Sequence, residues 1–177
     1  MNFELRVATT ADVAGIVELI RASVRGLQGE YTEAQREAAL ATVFTVDSQL
    51  IADGTYFVAL SGETLAGCGG WSYRKTLYGG DRQVERIEAE QLDPSVDAAK
   101  IRAIFVDPAF ARMGLGSLLL KTAEDAAAAA GFRRLEMGST LAGVALYTLK
   151  GYRRVEEIQV PVADGLKIAV VRMEKTV

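Results

Sequence analysis

The chain of 177 residues contains no histidine, and that absence excludes more chemistry than any single residue adds. A Ser-His-Asp or Cys-His mechanism is ruled out, and so is any zinc site that needs an imidazole. There is one cysteine, Cys68, so no disulfide can form within the chain. Positive charge is not in excess: Lys and Arg number 20 against 23 Asp and Glu, giving a formal charge of −3 and a pI near 5.2. That balance argues against nucleic acid or an anionic membrane as a partner. No apolar run approaches membrane-spanning length, and Met1-Asn2-Phe3-Glu4-Leu5-Arg6 lacks the basic-then-apolar pattern of a signal peptide. A cytoplasmic location is therefore expected. Any acid or base must come from Asp, Glu, Tyr, Lys, Cys68 or ordered water.

What is present reads as one domain over residues 1–177, with 50% apolar residues to build a core and 24% charged residues to solvate it. Phe3, Leu5 and Val7 alternate with polar neighbours, which predicts a first strand. Thr9 with Asp12, and Thr32 with Gln35, are capping-box pairs ahead of two helical stretches, the second running through Val43. A turn of helix is expected from Asp47 to Ala52. Tyr56–Leu60 and Leu65–Tyr73 read as a hairpin around Ser61-Gly62-Glu63. Arg74 to Ala98 lacks steady periodicity and reads as loop. Ile101–Val106 is a central strand, and Gly114–Ala130 a long helix closed by Gly131. Arg133–Met137 forms the next strand, Gly143–Lys150 a short helix, and Val155–Val160 with Ile168–Met173 a last hairpin. Alternation of strands and helices places the chain in the α/β class.

The segment Ile101-Arg102-Ala103-Ile104-Phe105-Val106-Asp107-Pro108-Ala109-Phe110-Ala111-Arg112-Met113-Gly114-Leu115-Gly116-Ser117 carries the most information. It is an apolar strand, a stop at Asp-Pro, and a glycine-bearing loop opening a helix. A helix start has backbone N–H groups without intrahelical acceptors and a partial positive charge, which together form an anion cradle. The loop is not a Walker A motif, because no lysine follows its last glycine. Nor is it a dinucleotide fingerprint, whose third glycine would fall at Leu119.

The loop resembles the pyrophosphate loop of the GNAT superfamily of N-acetyltransferases, Gln/Arg-x-x-Gly-x-Gly/Ala. Ala111 stands at the Gln/Arg position and Arg112 one residue later. Ala145-Leu146-Tyr147-Thr148-Leu149-Lys150-Gly151-Tyr152 resembles the family's second signature, a Tyr four residues before Gly-aromatic. Thr140 lies seven residues before that Tyr, where many relatives carry Asn. The similarity runs from Phe3 to about Val171 and is most specific between Ile101 and Tyr152.

The resemblance implies a mixed, twisted sheet with splayed central parallel strands and flanking helices. It implies acetyl-CoA as co-substrate without a metal, and direct transfer of an acetyl group to a primary amine on a small molecule or peptide. It places Ala111, Arg112, Met113, Gly114, Leu115, Gly116 and Ser117 at the pyrophosphate, with Thr140 also on the cofactor side. Backbone groups of Ile104, Phe105 and Val106 would meet the acetyl carbonyl and pantetheine. Tyr147 would protonate the departing thiolate, although a core aromatic on an amphipathic helix explains it as well. Glu88, Glu90, Asp93 and Glu136 are carboxylates in reach of a base role by position, and none stands out. Trp71, Tyr73, Tyr78, Arg74 and Lys75 lie where the family builds its acceptor pocket. Cys68 reads as a small buried hydrophobe. The assembly is expected to be a monomer or homodimer, and a non-catalytic acyl-CoA sensor on the same fold is the competing function.

Overall fold

The computed structural model describes residues 2–84 and 90–177, so Glu88 lies outside the described residues. Strand β1 (Glu4–Val7) leads into a capping box in which the Thr9 amide donates to Asp12 Oδ2 at 2.8 Å. That cap starts a 3-10 turn and then α1 (Val13–Leu27), whose Ile16, Leu19, Ile20 and Val24 are buried at helical spacing. The second expected cap is also formed: the Gln35 amide donates to Thr32 Oγ1 at 3.1 Å, and the Thr32 amide to Gln35 Oε1 at 2.9 Å. It opens α2 (Glu33–Leu40), which ends short of Val43. The reason is local. The Thr42 hydroxyl bonds back to the Ala38 carbonyl at 2.9 Å, and the Phe44 amide donates to the Ala39 carbonyl at 2.8 Å, turning residues 43–45 off the helix axis.

A one-turn helix, α3 (Ser48–Ala52), is capped by Asp47. The hairpin β2 (Tyr56–Ser61) and β3 (Thr64–Ser72) follows, and the described residues of the expected loop, 74–84 and 90–98, are largely without regular structure. The remaining elements are β4 (Ala99–Val106), α4 (Leu115–Ala129), β5 (Arg134–Ser139), α5 (Val144–Leu149), β6 (Arg153–Pro161) and β7 (Lys167–Thr176).

Seven strands form one mixed sheet in the order β1-β2-β3-β4-β5-β7-β6. Every neighbouring pair is antiparallel except β4 and β5, which are parallel and joined at only two positions, Ala99↔Leu135 and Lys100↔Glu136. Beyond Lys100 the two strands separate, and the edge of β4 facing β5 has no strand partner among the described residues. Alternate residues of β4 serve opposite faces: Phe105 joins the core under α1 and α2, while Ile104 and Val106 join the one under α4.

The glycines of β3 make this arrangement possible. A methyl group on Gly67 would lie 3.0 Å from both Leu115 Cδ2 and Leu119 Cδ1, so α4 packs directly on the strand backbone. A methyl on Gly69 would lie 2.7 Å from Ile104 Cγ1, at the place where the β3–β4 register shifts. Opposite that shift Ala103 adopts φ +52°, a left-handed conformation costing about 1 kcal/mol for a residue with a Cβ. The Tyr56 hydroxyl holds it by donating to the Ala103 carbonyl at 2.7 Å. The bulge bends β4 away from β5 just where the gap opens. Among the described residues no helix is long and apolar enough to cross a membrane.

Candidate active site

The separation of β4 and β5 leaves a cleft of about 720 Å³, its open mouth included. Ile101 to Phe105 line one side, Met137 to Thr140 the other, and Tyr147 of α5 reaches in from the α4 face. Of the residues expected at the site, Ile104, Phe105, Thr140 and Tyr147 therefore share one cavity. Val106 and residues 111–117 do not line it; they continue from the end of β4 into the start of α4.

That connection begins with Asp107, which caps a 3-10 turn over Pro108–Phe110 by accepting from the Ala109 amide at 2.8 Å. Arg112 then adopts φ +61° and Gly114 φ +79°. The first bond of α4 runs from the Leu118 amide to the Gly114 carbonyl at 3.0 Å. The amides of Gly114, Leu115, Gly116 and Ser117 are thus left without an acceptor among the described residues. A Cβ on Gly114 would meet nothing within 4 Å, so the glycine is there for its left-handed backbone and leaves open space above the amides. Arg112 is exposed, with no ion pair among the described residues. The loop and the cleft are adjacent: a methyl on Gly116 would lie 3.4 Å from Leu146 Cδ2, the side chain preceding Tyr147.

Tyr147 is half-buried, and its ring meets that of Tyr152 edge-on at 6.0 Å. Gly143 makes room for it, since a methyl there would lie 2.7 Å from Tyr147 Cε2 and 2.9 Å from Ser139 Oγ. Loss of hydration pushes the phenol up to about 12, and its hydroxyl has no partner among the described residues. It is held neutral as a proton donor with that donor unspent.

The described carboxylates among the candidate bases, Glu90, Asp93 and Glu136, lie elsewhere. Glu136 is tied to Lys100 at 3.2 Å and to Arg172 at 3.6 Å, outside the cleft. Glu90 pairs with Lys75 at 2.7 Å at the surface, and Asp93 accepts from Ser95, which lowers its pKa. No Asp or Glu among the described residues lines the cleft.

The aromatic and basic group after β3 divides. Tyr78 lines the cleft, but Trp71 is buried beneath α4, edge-on to Phe132 at 5.9 Å. Arg74 binds Asp53 at 2.7 Å. Cys68 is fully buried and burial raises its thiol to about 12, so it is an inert core residue.

No local pattern marks Val43, Phe44, Leu77, Val160 and Val170, which line the cleft from three separate segments. Arg102 did leave a signal: a guanidinium inside an apolar strand. It is 3% exposed and bonds to Asp47 at 2.9 Å, to the Gly79 carbonyl at 2.8 Å and to the Thr76 carbonyl at 3.3 Å. Burial lowers its pKa and the Asp47 carboxylate opposes that shift.

The sheet thus opens between two parallel strands, and a bare helix start stands beside the opening. The model of the Acetyltransferase (GNAT) family matches residues 21–152, most of the chain, and the chain belongs to that family. Solved structures agree on the fold. A GCN5-related N-acetyltransferase from Rhodopseudomonas palustris superposes with a TM-score of 0.74 at 19% identity, covering 100% of this chain and 97% of that one. The PaiA N-acetyltransferase of Thermoplasma acidophilum, in complex with coenzyme A, gives 0.65 at 16% identity with 100% of both chains covered. A phosphinothricin acetyltransferase from Sinorhizobium meliloti, in complex with acetyl-CoA, gives 0.65 at 20% identity over 100% of this chain and 89% of that one. No curated protein matches the sequence.

Proposed function

We propose that the whole chain, residues 1–177, is one acetyl-CoA-dependent N-acetyltransferase domain that acylates a primary amine by direct transfer. The observation that carries this reading is the adjacency of four amides, unpartnered among the described residues, to a cleft that holds an unpaired strand edge and an unspent phenol. These groups suit an acyl-CoA: the amides of Gly114 to Ser117 would receive the pyrophosphate and the free edge of β4 at Ile104 to Val106 the pantetheine amides. Bound there, acetyl-CoA supplies the acetyl group and a thiol leaving group.

The chain's own part is then to position and to protonate. Walls from β4 and β5 hold both reactants in line, which turns a bimolecular step into a nearly unimolecular one. The new N–C bond forms as the C–S bond breaks, and Tyr147 Oη gives its proton to the departing sulfur. The proton lost by the amine passes to water, since no described carboxylate stands in the cleft to take it. That same lack favours a second reading, an acyl-CoA-binding sensor without turnover.

One experiment separates the two. Thermal melts with millimolar acetyl-CoA should show stabilisation, because the cradle exists only in the folded state. Release of free thiol in the presence of amines should accompany it. Binding without thiol release across a broad amine panel favours the sensor. Gly114→Val should remove the stabilisation, because a β-branched residue is strained at φ +79°; absence of any shift with the unaltered chain ends the acyl-CoA assignment.

A further inference from the structure

Resting on the transfer reading, we propose that the acceptor is a small monoamine with an aromatic or branched apolar body. Its seat is the part of the cleft bounded by Val43, Phe44, Tyr78, Val160 and Val170. Residues 43–45 are turned into this position by the early end of α2, and Val160 and Val170 come from the β6–β7 hairpin. Apolar side chains from three segments leave the acceptor body little to bind except by its own apolar surface.

Charge points the same way. Arg102 is the one charged side chain among the described residues lining the cleft, and Asp47 and two carbonyls already engage it. It holds residues 76–79, and Tyr78 with them, against β4. No described carboxylate remains there to pair with an ammonium group on the acceptor. A polyamine or aminoglycoside would strip water from further ammonium groups without replacing it. A peptide would bring backbone N–H and C=O groups to aliphatic walls, and the Thr45 hydroxyl already donates to the Thr42 carbonyl at 2.9 Å. For a monoamine the same walls help, because desolvation lowers an ammonium pKa and yields the neutral nucleophile that transfer requires.

The test uses the full chain with acetyl-CoA and five amines: phenethylamine, isoamylamine, spermidine, kanamycin and an alanyl tripeptide. Thiol release gives kcat/KM, and calorimetry on protein saturated with CoA gives amine affinity without turnover. Phenethylamine or isoamylamine should exceed each of the other three by about 100-fold in kcat/KM. Tyr78→Ala should raise the KM for phenethylamine about tenfold with kcat kept, and Tyr78→Phe should restore it. Spermidine, kanamycin or the peptide matching the monoamines overturns the inference while leaving the transfer reading intact. If no amine releases thiol, the transfer reading fails, and calorimetry still decides the pocket: affinity for phenethylamine over spermidine supports it, and no affinity for phenethylamine or isoamylamine overturns it.

Discussion

The two ends of the cleft are built from different materials. At the α4 side, beside the cleft, the groups proposed to bind are backbone amides, and the residue types are fixed by conformation: Gly114 at φ +79° and Gly116 against Leu146. At the far end of the cleft the lining is made of side chains, gathered from residues 43–45, 77–79, 160 and 170. A backbone device must be written with glycine and with a strand-to-helix junction, so it leaves a local pattern. A side-chain wall is satisfied by any apolar residue of suitable size and leaves none. The first end is therefore suited to a constant ligand, and the second is free to vary with the acceptor.

Tyr147 sits between these ends, and its replacement should give the largest effect on turnover. Tyr147→Phe keeps the edge-on contact with Tyr152 and removes only the hydroxyl. Turnover should fall by roughly 10²–10⁴, the usual worth of one general acid, with acetyl-CoA affinity within a few-fold. Because the hydroxyl has no partner among the described residues, its loss should shift the melting temperature by less than about 2 °C. Unchanged turnover on a verified acceptor would make Tyr147 a core aromatic and leave positioning as the whole mechanism.

The pH profile tests the end where no described carboxylate stands. The Tyr147 phenol, raised to about 12, is protonated at every lower pH, so the donor form persists and no alkaline loss should appear up to about pH 10. The acceptor must shed a proton before attack, so kcat/KM should climb about tenfold per pH unit until the pKa of the free amine. Amines of different pKa should displace the curve by the difference between them. A break that stays at one pH for all amines would reveal a base on the protein.

Much of this molecule was legible beforehand, for reasons that differ by element. The caps at Thr9 and Thr32, the hairpin turn at Gly62, the loop at Gly114 and the helix stop at Gly131 are local signals with local causes, and the structure shows each of them. The early end of α2 was not legible, because back-bonding by Thr42 and the Phe44 amide competes with a continuing apolar pattern. The family resemblance puts Trp71 by the acceptor pocket, yet strand alternation sends it under α4. The glycines of β3 answer to α4 and Ile104, distant in sequence and close in space, so their role leaves no local pattern.

Arg112 offers the smallest effect and the cleanest separation of side chain from backbone within one loop. Its guanidinium is exposed and its backbone is left-handed at φ +61°, so charge and strain meet in one residue. Arg112→Ala removes the charge and keeps a Cβ in the strained region. Arg112→Gly removes both. If the cradle is made of amides, both variants should weaken acetyl-CoA binding equally and only a few-fold, as expected for one exposed charge. The difference from the unaltered chain should shrink in molar salt, where the Debye length falls to about 3 Å. Stability should separate the two: Arg112→Gly should be more stable than Arg112→Ala by about 1 kcal/mol, because only the glycine escapes the left-handed penalty. A loss of binding larger than tenfold in both variants would instead place the phosphate grip on the guanidinium. The contrast between a backbone end and a side-chain end would then fail at this loop.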